Sequence, residues 1–413
     1  MDEPELIHDW NESGERWEKP GHRVQLVDGT FRDGLQSPAL RVPTIAERIE
    51  ILHLMDRLGI DAVDLGLPGA GAPVVHDAAR LAAEIRDAGL AIRPVCAARA
   101  LRQDITPILE LSQDCGLAIE VCAFVGSSPV RQYAEGWGLE RLERATGDAV
   151  AYATAHGLPV TFVTEDTVRT PPATLRRLFQ AALRSGATRL CLTDTAGHAT
   201  PTGTANLVRF AQEVVRQSGT AAGLDWHGHA DRGLALANAL AALRAGASRV
   251  HACALGLGER AGNTAMDQLL VNLRLLGWID RDLGALDEYC RRVSEATGSA
   301  IPPAYPAVGS EAFRTGSAMH AAAALKSPRA DRTRWAERIV SGVPASLVGR
   351  RLEIEIGPLS GPGNAVWWLE SHGYTATPER ARALFQRARS VDRVLSEGEI
   401  HAVLDALEET QAP

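Results

Sequence analysis

GLDWHGHADRGLALANALAALRAGASRVHACALGLGERAGN, residues 223–263 of a 413-residue chain, is the stretch that decides the fold. GLDWHGH (223–229) is a short apolar run, GLALANALAALRAG (233–246) has helical periodicity and stops on a glycine, and RVHACALGL (249–257) is a second apolar run. Together they read as strand, helix, strand: one βα unit and the start of the next, with the strands parallel. Working outward, the same alternation recurs with strands at VQLVDGT (24–30), AVDLGLP (62–68), AIRPVCAA (91–98), AIEVCAFV (118–125), PVTFVTED (159–166) and RLCLTDT (189–195). Helical stretches such as TIAERIEILHLMDRLG (44–59) and ATLRRLFQAALRSG (173–186) lie between them. Eight such units predict an α/β chain whose residues 23–278 form a TIM (β/α)8 barrel, with its site at the strand C-termini. A doubly wound sheet is the alternative, but it does not bring the ends of strands one, five, six, seven and eight together.

Beyond residue 278 the alternation stops and Pro, Gly and charged helices take over, so residues 279–413 are expected to be small, mainly helical accessory subdomains, and 1–22 an N-terminal extension. The chain is 45% hydrophobic and 23% charged, the composition of an ordinary globular protein. A net charge of -8 leaves no basic footprint for nucleic acid or an anionic membrane, and no apolar run approaches a membrane span. The acidic opening MDEPELIHDWNESGERWEKPGHR (1–23) does not read as a signal peptide. Six cysteines (96, 115, 122, 191, 253, 290) are scattered without a C-x-x-C pair, as expected for buried thiols in the reducing cytoplasm.

The chemistry concentrates in two places. His227 and His229 are two apart on a predicted strand and leave the same face, so they can grip one ion. VDGTFRDGLQ (27–36) brings a carboxylate, Asp33, beside a guanidinium, Arg32, at the end of another strand. Two neutral imidazoles and one carboxylate make a divalent-metal set with positions open for substrate. The plainer alternatives are a hydrogen-bonded His pair and a turn or helix-capping Asp. Asn263 either caps the eighth helix or faces the metal.

Three segments resemble one family: DGTFRDGLQ (28–36), HGHADRGLALAN (227–238) and GLGERAGN (256–263) match D-x-T-x-R-D-G-x-Q, H-x-H-N-D-x-G-x-A-x-A-N and G-x-G-E-R-x-G-N. These are the motifs of the 2-isopropylmalate synthase and homocitrate synthase family, which also includes citramalate synthases, within the HMGL-like (DRE-TIM metallolyase) superfamily. Ala230 stands where that family usually has Asn. The resemblance spans roughly residues 22–375. It implies a divalent metal (Mg, Mn or Zn) on Asp33, His227, His229 and Asn263, with acetyl-CoA as cosubstrate. It also implies a Claisen-type condensation with a 2-oxo acid, followed by thioester hydrolysis to a 2-alkylmalate. Arg32 would stabilise the developing oxyanion, and Glu165, in a segment similar to S-x-E-D-x-x-R, would sit beside the reacting carbons or pair with Arg169. Thr195, Gln36 and Arg131 become substrate-binding candidates. Glu259 and Arg260 would lock the glycine loop by pairing.

His320, in A-F-x-x-x-S-x-x-H (312–320), matches the segment that supplies an acid/base His from a partner chain, which implies a homodimer with the C-terminal subdomain over the partner's site. An exposed helix His is the alternative. The Tyr that usually follows is missing from SPRADRTRW (327–335), and no separate C-terminal regulatory domain is expected. GSSPVRQYAEG (126–136) is similar to a homocitrate-synthase segment, but Thr161 stands where those enzymes place a distal-carboxylate Arg and Cys122 where isopropylmalate synthases place a His, so the oxo acid stays open, with homocitrate- and phosphonomethylmalate-type syntheses as alternatives. So does a noncatalytic metal-binding paralogue. A hydroxymethylglutaryl-CoA-lyase-like cleavage is disfavoured, because LGLGERAGN (255–263) lacks the lyase's reactive Cys. His198 and His251, near the barrel mouth and wall, carry no assigned role.

Overall fold

The computed structural model describes residues 6–14, 16–327 and 331–411, so part of the N-terminal extension and part of SPRADRTRW lie outside the described residues. Eight parallel strands close into a barrel in chain order: β1 (Gln25–Asp28), β2 (Ala62–Asp64), β3 (Arg93–Arg99), β4 (Glu120–Gly126), β5 (Val160–Glu165), β6 (Arg189–Asp194), β7 (Gly223–Gly228) and β8 (Arg249–Ala252). Closure comes from β8 against β1, with Ala252 opposite Asp28. The predicted TIM barrel is therefore the observed fold. β8 is shorter than its apolar run, because the chain turns into a 3-10 segment at Ala254–Gly256, where Leu255 has a φ of 55°.

Amphipathic helices form the outer ring: α1 (Ile45–Arg57), α2 (Ala72–Asp87), α3 (Arg102–Cys115), then a short α4 (Pro129–Glu135), α5 (Leu139–Ala155), α6 (Pro172–Arg184), α7 (Pro201–Ser218), α8 (Ala235–Ala245) and α9 (Met266–Leu275). Their ends follow local chemistry. Thr44 and Glu47 close a reciprocal capping box at the start of α1, and Gly246 ends α8 at a φ of 113°. Their buried faces, such as Ile51, Leu52 and Met55 of α1, pack on the outside of the strands.

Inside the barrel, the period of two sorts side chains into layers. The lowest is ionic. Arg249 donates to Asp225 (2.7 Å) and to Glu120 (2.5 and 2.9 Å), and Arg189 donates to Asp225 (2.5 Å). Thr161, the homocitrate-type Arg position, is consumed here, donating to Glu120 and accepting from Arg249. Above it lies an apolar layer of Val27, Val95, Cys122 and Val163. Asp225 is fully buried, yet burial is overcome by Arg249 and Arg189, which hold its carboxyl far below the usual range.

Asp28 behaves in the opposite way. Burial pushes it up from 3.8 to about 6, although Thr30 and Tyr289 donate to it. A carboxyl raised in the folded state costs stability above its folded pKa, and that stability returns as pH falls from about 6 toward 4. Asp28→Asn is therefore expected to raise stability at pH 7 by about 2–3 kcal/mol and to flatten the profile between those pH values, as read from urea melts at each pH.

Contacts divide the chain into two compact units, Met1–Asp282 with Glu288–Ala300, and Leu283–Asp287 with Ile301–Pro413. Most of α10 (Leu286–Thr297) belongs to the first unit; the second is mainly helical, with α11 (Ala318–Lys326), α12 (Arg332–Val340), α13 (Pro362–Ser371), α14 (Pro378–Ala388) and α15 (Glu397–Gln411). Its core gathers Ile356, Trp368, Leu369 and Leu384, and a two-stranded sheet pairs Arg314–Thr315 with Glu353–Ile354. Among the described residues, no helix is long and apolar enough to cross a membrane.

Candidate metal centre and active site

The C-terminal ends of the strands open on a cavity of about 240 Å³. Asp33, His227 and His229 meet there, their donor atoms all within 4.8 Å of one another. β7 brings both imidazoles to one side, and the turn after β1 supplies the carboxylate. His227 Nε2 lies 3.3 Å from His229 Nε2 and 3.3 Å from Asp33 Oδ2. Three Lewis bases facing each other at that distance are stable only around a proton or a cation. Burial, against the pull of Asp33, lowers His227 to about 3, which leaves it neutral and its lone pair available. Burial would raise Asp33, but Arg32, His227 and His229 bring it down to about 2, so it is a carboxylate.

Asn263 is the fourth candidate. It does not cap a helix: α9 starts at Met266 behind Ala265, without a side-chain cap. Its Nδ2 donates to Leu257 O at 2.8 Å, and its buried Oδ1 has no hydrogen-bond partner among the described residues. An orphaned buried acceptor beside two imidazoles and a carboxylate fits a divalent ion, since two ligands each about 2.1 Å from one ion stand about 3 Å apart. A second trio, Cys191, Asp225 and His251, is equally close but does not fit, because Asp225 already accepts from two guanidinium groups.

Arg32 lines the cavity and lies beyond β1, in the turn rather than on the strand. Its Nε donates to Asp64 at 2.7 Å and its Nη1 is 3.4 Å from Asp33. Burial alone would weaken its charge, but Asp64 and Asp33 more than compensate and keep it cationic. Asp64, at the end of β2, was not singled out by sequence; a carboxylate ending an apolar strand was the signal. Gln36, Glu165, Thr195 and Glu259 also line the cavity.

Several expected pairings differ. Arg169 does not hold Glu165; it grips Asp166 through Nε and Nη2 at 2.7 and 2.8 Å, where Asp166 sits in the left-handed region at a φ of 61° three residues before it. Glu165 is left on the cavity wall, 3.9 Å from Arg131, which also pairs with Glu135 at 3.2 Å. Thr195 accepts from Asp166 N at 2.8 Å. Arg260 has Glu259 within 3.4 Å, but its closer partners are Asp231 (2.8 Å) and Thr195 O (2.7 Å), so it ties the glycine loop to the ends of β7 and β6.

His320 belongs to the second unit, on α11, where its Nδ1 is 3.4 Å from Thr315 Oγ1. His198 is exposed in the β6–α7 loop. His251, unassigned from sequence, lines the cavity and contacts Asp225.

Comparison with known proteins agrees with this geometry. Residues 23–289 match the HMGL-like family model. The chain is 32% identical to a probable 2-isopropylmalate synthase of Methanopyrus kandleri over 374 residues, 89% of this chain and 70% of that protein. It is 33% identical over 372 residues to the homocitrate synthase AksA of the same organism, 89% of this chain and 87% of that protein. The hydroxymethylglutaryl-CoA lyase of Pseudomonas aeruginosa shares the fold, with a TM-score of 0.56 at 21% identity over 67% of this chain and 94% of that one. With a barrel whose strand ends carry all three motifs, and relatives of this kind along most of its length, the chain belongs to the HMGL-like family, alongside the 2-isopropylmalate and homocitrate synthases.

Proposed function

We propose that the protein is a metal-dependent acyltransferase of the 2-isopropylmalate synthase kind, which condenses acetyl-CoA with a 2-oxo acid and hydrolyses the thioester to give a 2-alkylmalate-type product. The observation that carries this is the meeting of Asp33, His227 and His229 with the cationic Arg32 in one cavity. Asp33, His227, His229 and Asn263 would hold the divalent ion, which when bound supplies Lewis acidity and a template for the oxo acid. Glu165, on the wall, takes a proton from the acyl methyl. The resulting carbon nucleophile bonds to the keto carbon, and Arg32 faces the negative charge that gathers on the keto oxygen. Gln36 and Thr195 orient the oxo-acid carboxylate, and Arg131 steers from the mouth. Water then cleaves the thioester and free CoA leaves. His320 of the partner subunit is assigned the returning proton, which makes the active species a homodimer.

The test is CoA release from acetyl-CoA with Mg or Mn and a panel of 2-oxo acids. Release with one class of oxo acid, lost in His227→Ala, supports the reading; silence across the panel with metal bound overturns it. Arg32→Lys keeps the charge but loses the fork held by Asp64, and is expected to lower kcat by about 10²–10³-fold while metal content is unchanged.

A further inference from the structure

The floor of the cavity is apolar, built on Val27, Val95, Cys122 and Val163, with one imidazole set into it. That imidazole is His251, on β8, and its ring centroid is 6.0 Å from that of His227. A ligand held at His227 therefore reaches His251 with a short substituent. His251 Nε2 lies 2.9 Å from Asp225 Oδ2, and Asp225 is a buried carboxylate fixed by Arg189 and Arg249. An ionised carboxylate only accepts, so the Nε2 facing it carries a hydrogen, and a neutral ring in that tautomer presents Nδ1 as a lone-pair acceptor. Among the described residues Nδ1 has no hydrogen-bond partner.

The charges around this floor are already matched. Arg249 is shared between Asp225 and Glu120, Arg189 is held by Asp225, and Arg32 by Asp64 and Asp33. No guanidinium there is left for a second substrate carboxylate, which would instead meet Asp64 and Glu165 on the cavity wall. A wholly apolar substituent would fill the space but strand the Nδ1 acceptor away from water.

We propose that His251 is a specificity-determining residue of the condensation site: its Nδ1 receives a hydrogen bond from an uncharged donor, a hydroxyl, at the far end of the oxo acid, and the surrounding floor rejects a second carboxylate. The claim rests on the proposed condensation for its reaction, but its selectivity is read by binding alone. Calorimetric titration of the full-length, Mn-loaded protein with 4-hydroxy-2-oxobutanoate, 2-oxopentanoate and 2-oxoglutarate compares a hydroxyl, a methyl of similar size and a carboxylate at one position.

The hydroxy acid is expected to bind at least about tenfold more tightly than either of the others. His251→Leu is expected to invert the order of the hydroxy and methyl acids with Mn affinity unchanged, and His251→Gln to restore part of the hydroxyl preference. Equal or tighter binding of 2-oxopentanoate or 2-oxoglutarate by the unaltered protein, binding of none of the three, or an unchanged preference in His251→Leu overturns the assignment. Hydroxyl preference in binding with no CoA released from acetyl-CoA supports His251 and overturns the condensation instead.

Discussion

His227→Ala is expected to empty the metal site and to lower CoA release by on the order of 10³-fold or more. His227 stands between the other ligands, 3.3 Å from both Asp33 Oδ2 and His229 Nε2, so its loss removes the donor common to both pairs. Its loss also relieves burial strain, because an imidazole lowered to about 3 is a group whose protonation the fold resists. The sign of the pH effect follows: in the metal-free protein, His227 costs stability progressively as pH falls from about 6.5 toward 3, and the alanine variant lacks that slope. Metal content after dialysis, CoA release and acid melts together check the outcome. Retained metal with a full rate would place the ion elsewhere.

Arg249→Met is expected to cost about 3–5 kcal/mol, the largest stability effect in the chain, read from chemical denaturation at pH 7. Arg249 is 1% exposed and is shared by two carboxylates, Asp225 and Glu120. Methionine fills much of the space but leaves Glu120 with only Thr161 and Asp225 with only Arg189 and His251. In the unaltered protein Asp225 is depressed, so its stabilisation is present above about pH 4 and is lost as pH falls below that. The variant should therefore lose much of this acid-side decline as well as its overall stability. A loss under about 1 kcal/mol would mean that the ionic layer is self-compensating without its central cation.

The barrel was legible because its eight strands are separated by helices with clear periodicity and glycine stops. The pairing of His227 with His229 was legible because i, i+2 on a strand needs no knowledge of the tertiary fold. What sequence could not supply depends on closure. Asp64 meets Arg32 only because β1 and β2 pair with Val27 opposite Ala62, and His251 meets Asp225 only because β7 and β8 pair with His227 opposite His251. The plainer alternative for Glu165, a pair with Arg169, is not what forms, because the left-handed turn at Asp166 makes the nearer carboxylate the partner of Arg169. The eighth strand was read too long because an apolar run does not announce the backbone turn at Leu255. His320 stands on sequence resemblance, in a separate unit from the cavity residues.

Asp225 answers to three neighbours at once, orienting one imidazole and pairing with two arginines. Evolution of this barrel toward a different substituent is thereby constrained. A single change at Asp225 also unbalances the charge it shares with Arg189 on β6 and Arg249 on β8, so it is filtered by folding before selectivity can be tested. Divergence at this depth has to proceed by paired changes across β4, β6, β7 and β8, whereas the mouth, where Arg131 and Glu135 are half exposed, can vary one residue at a time.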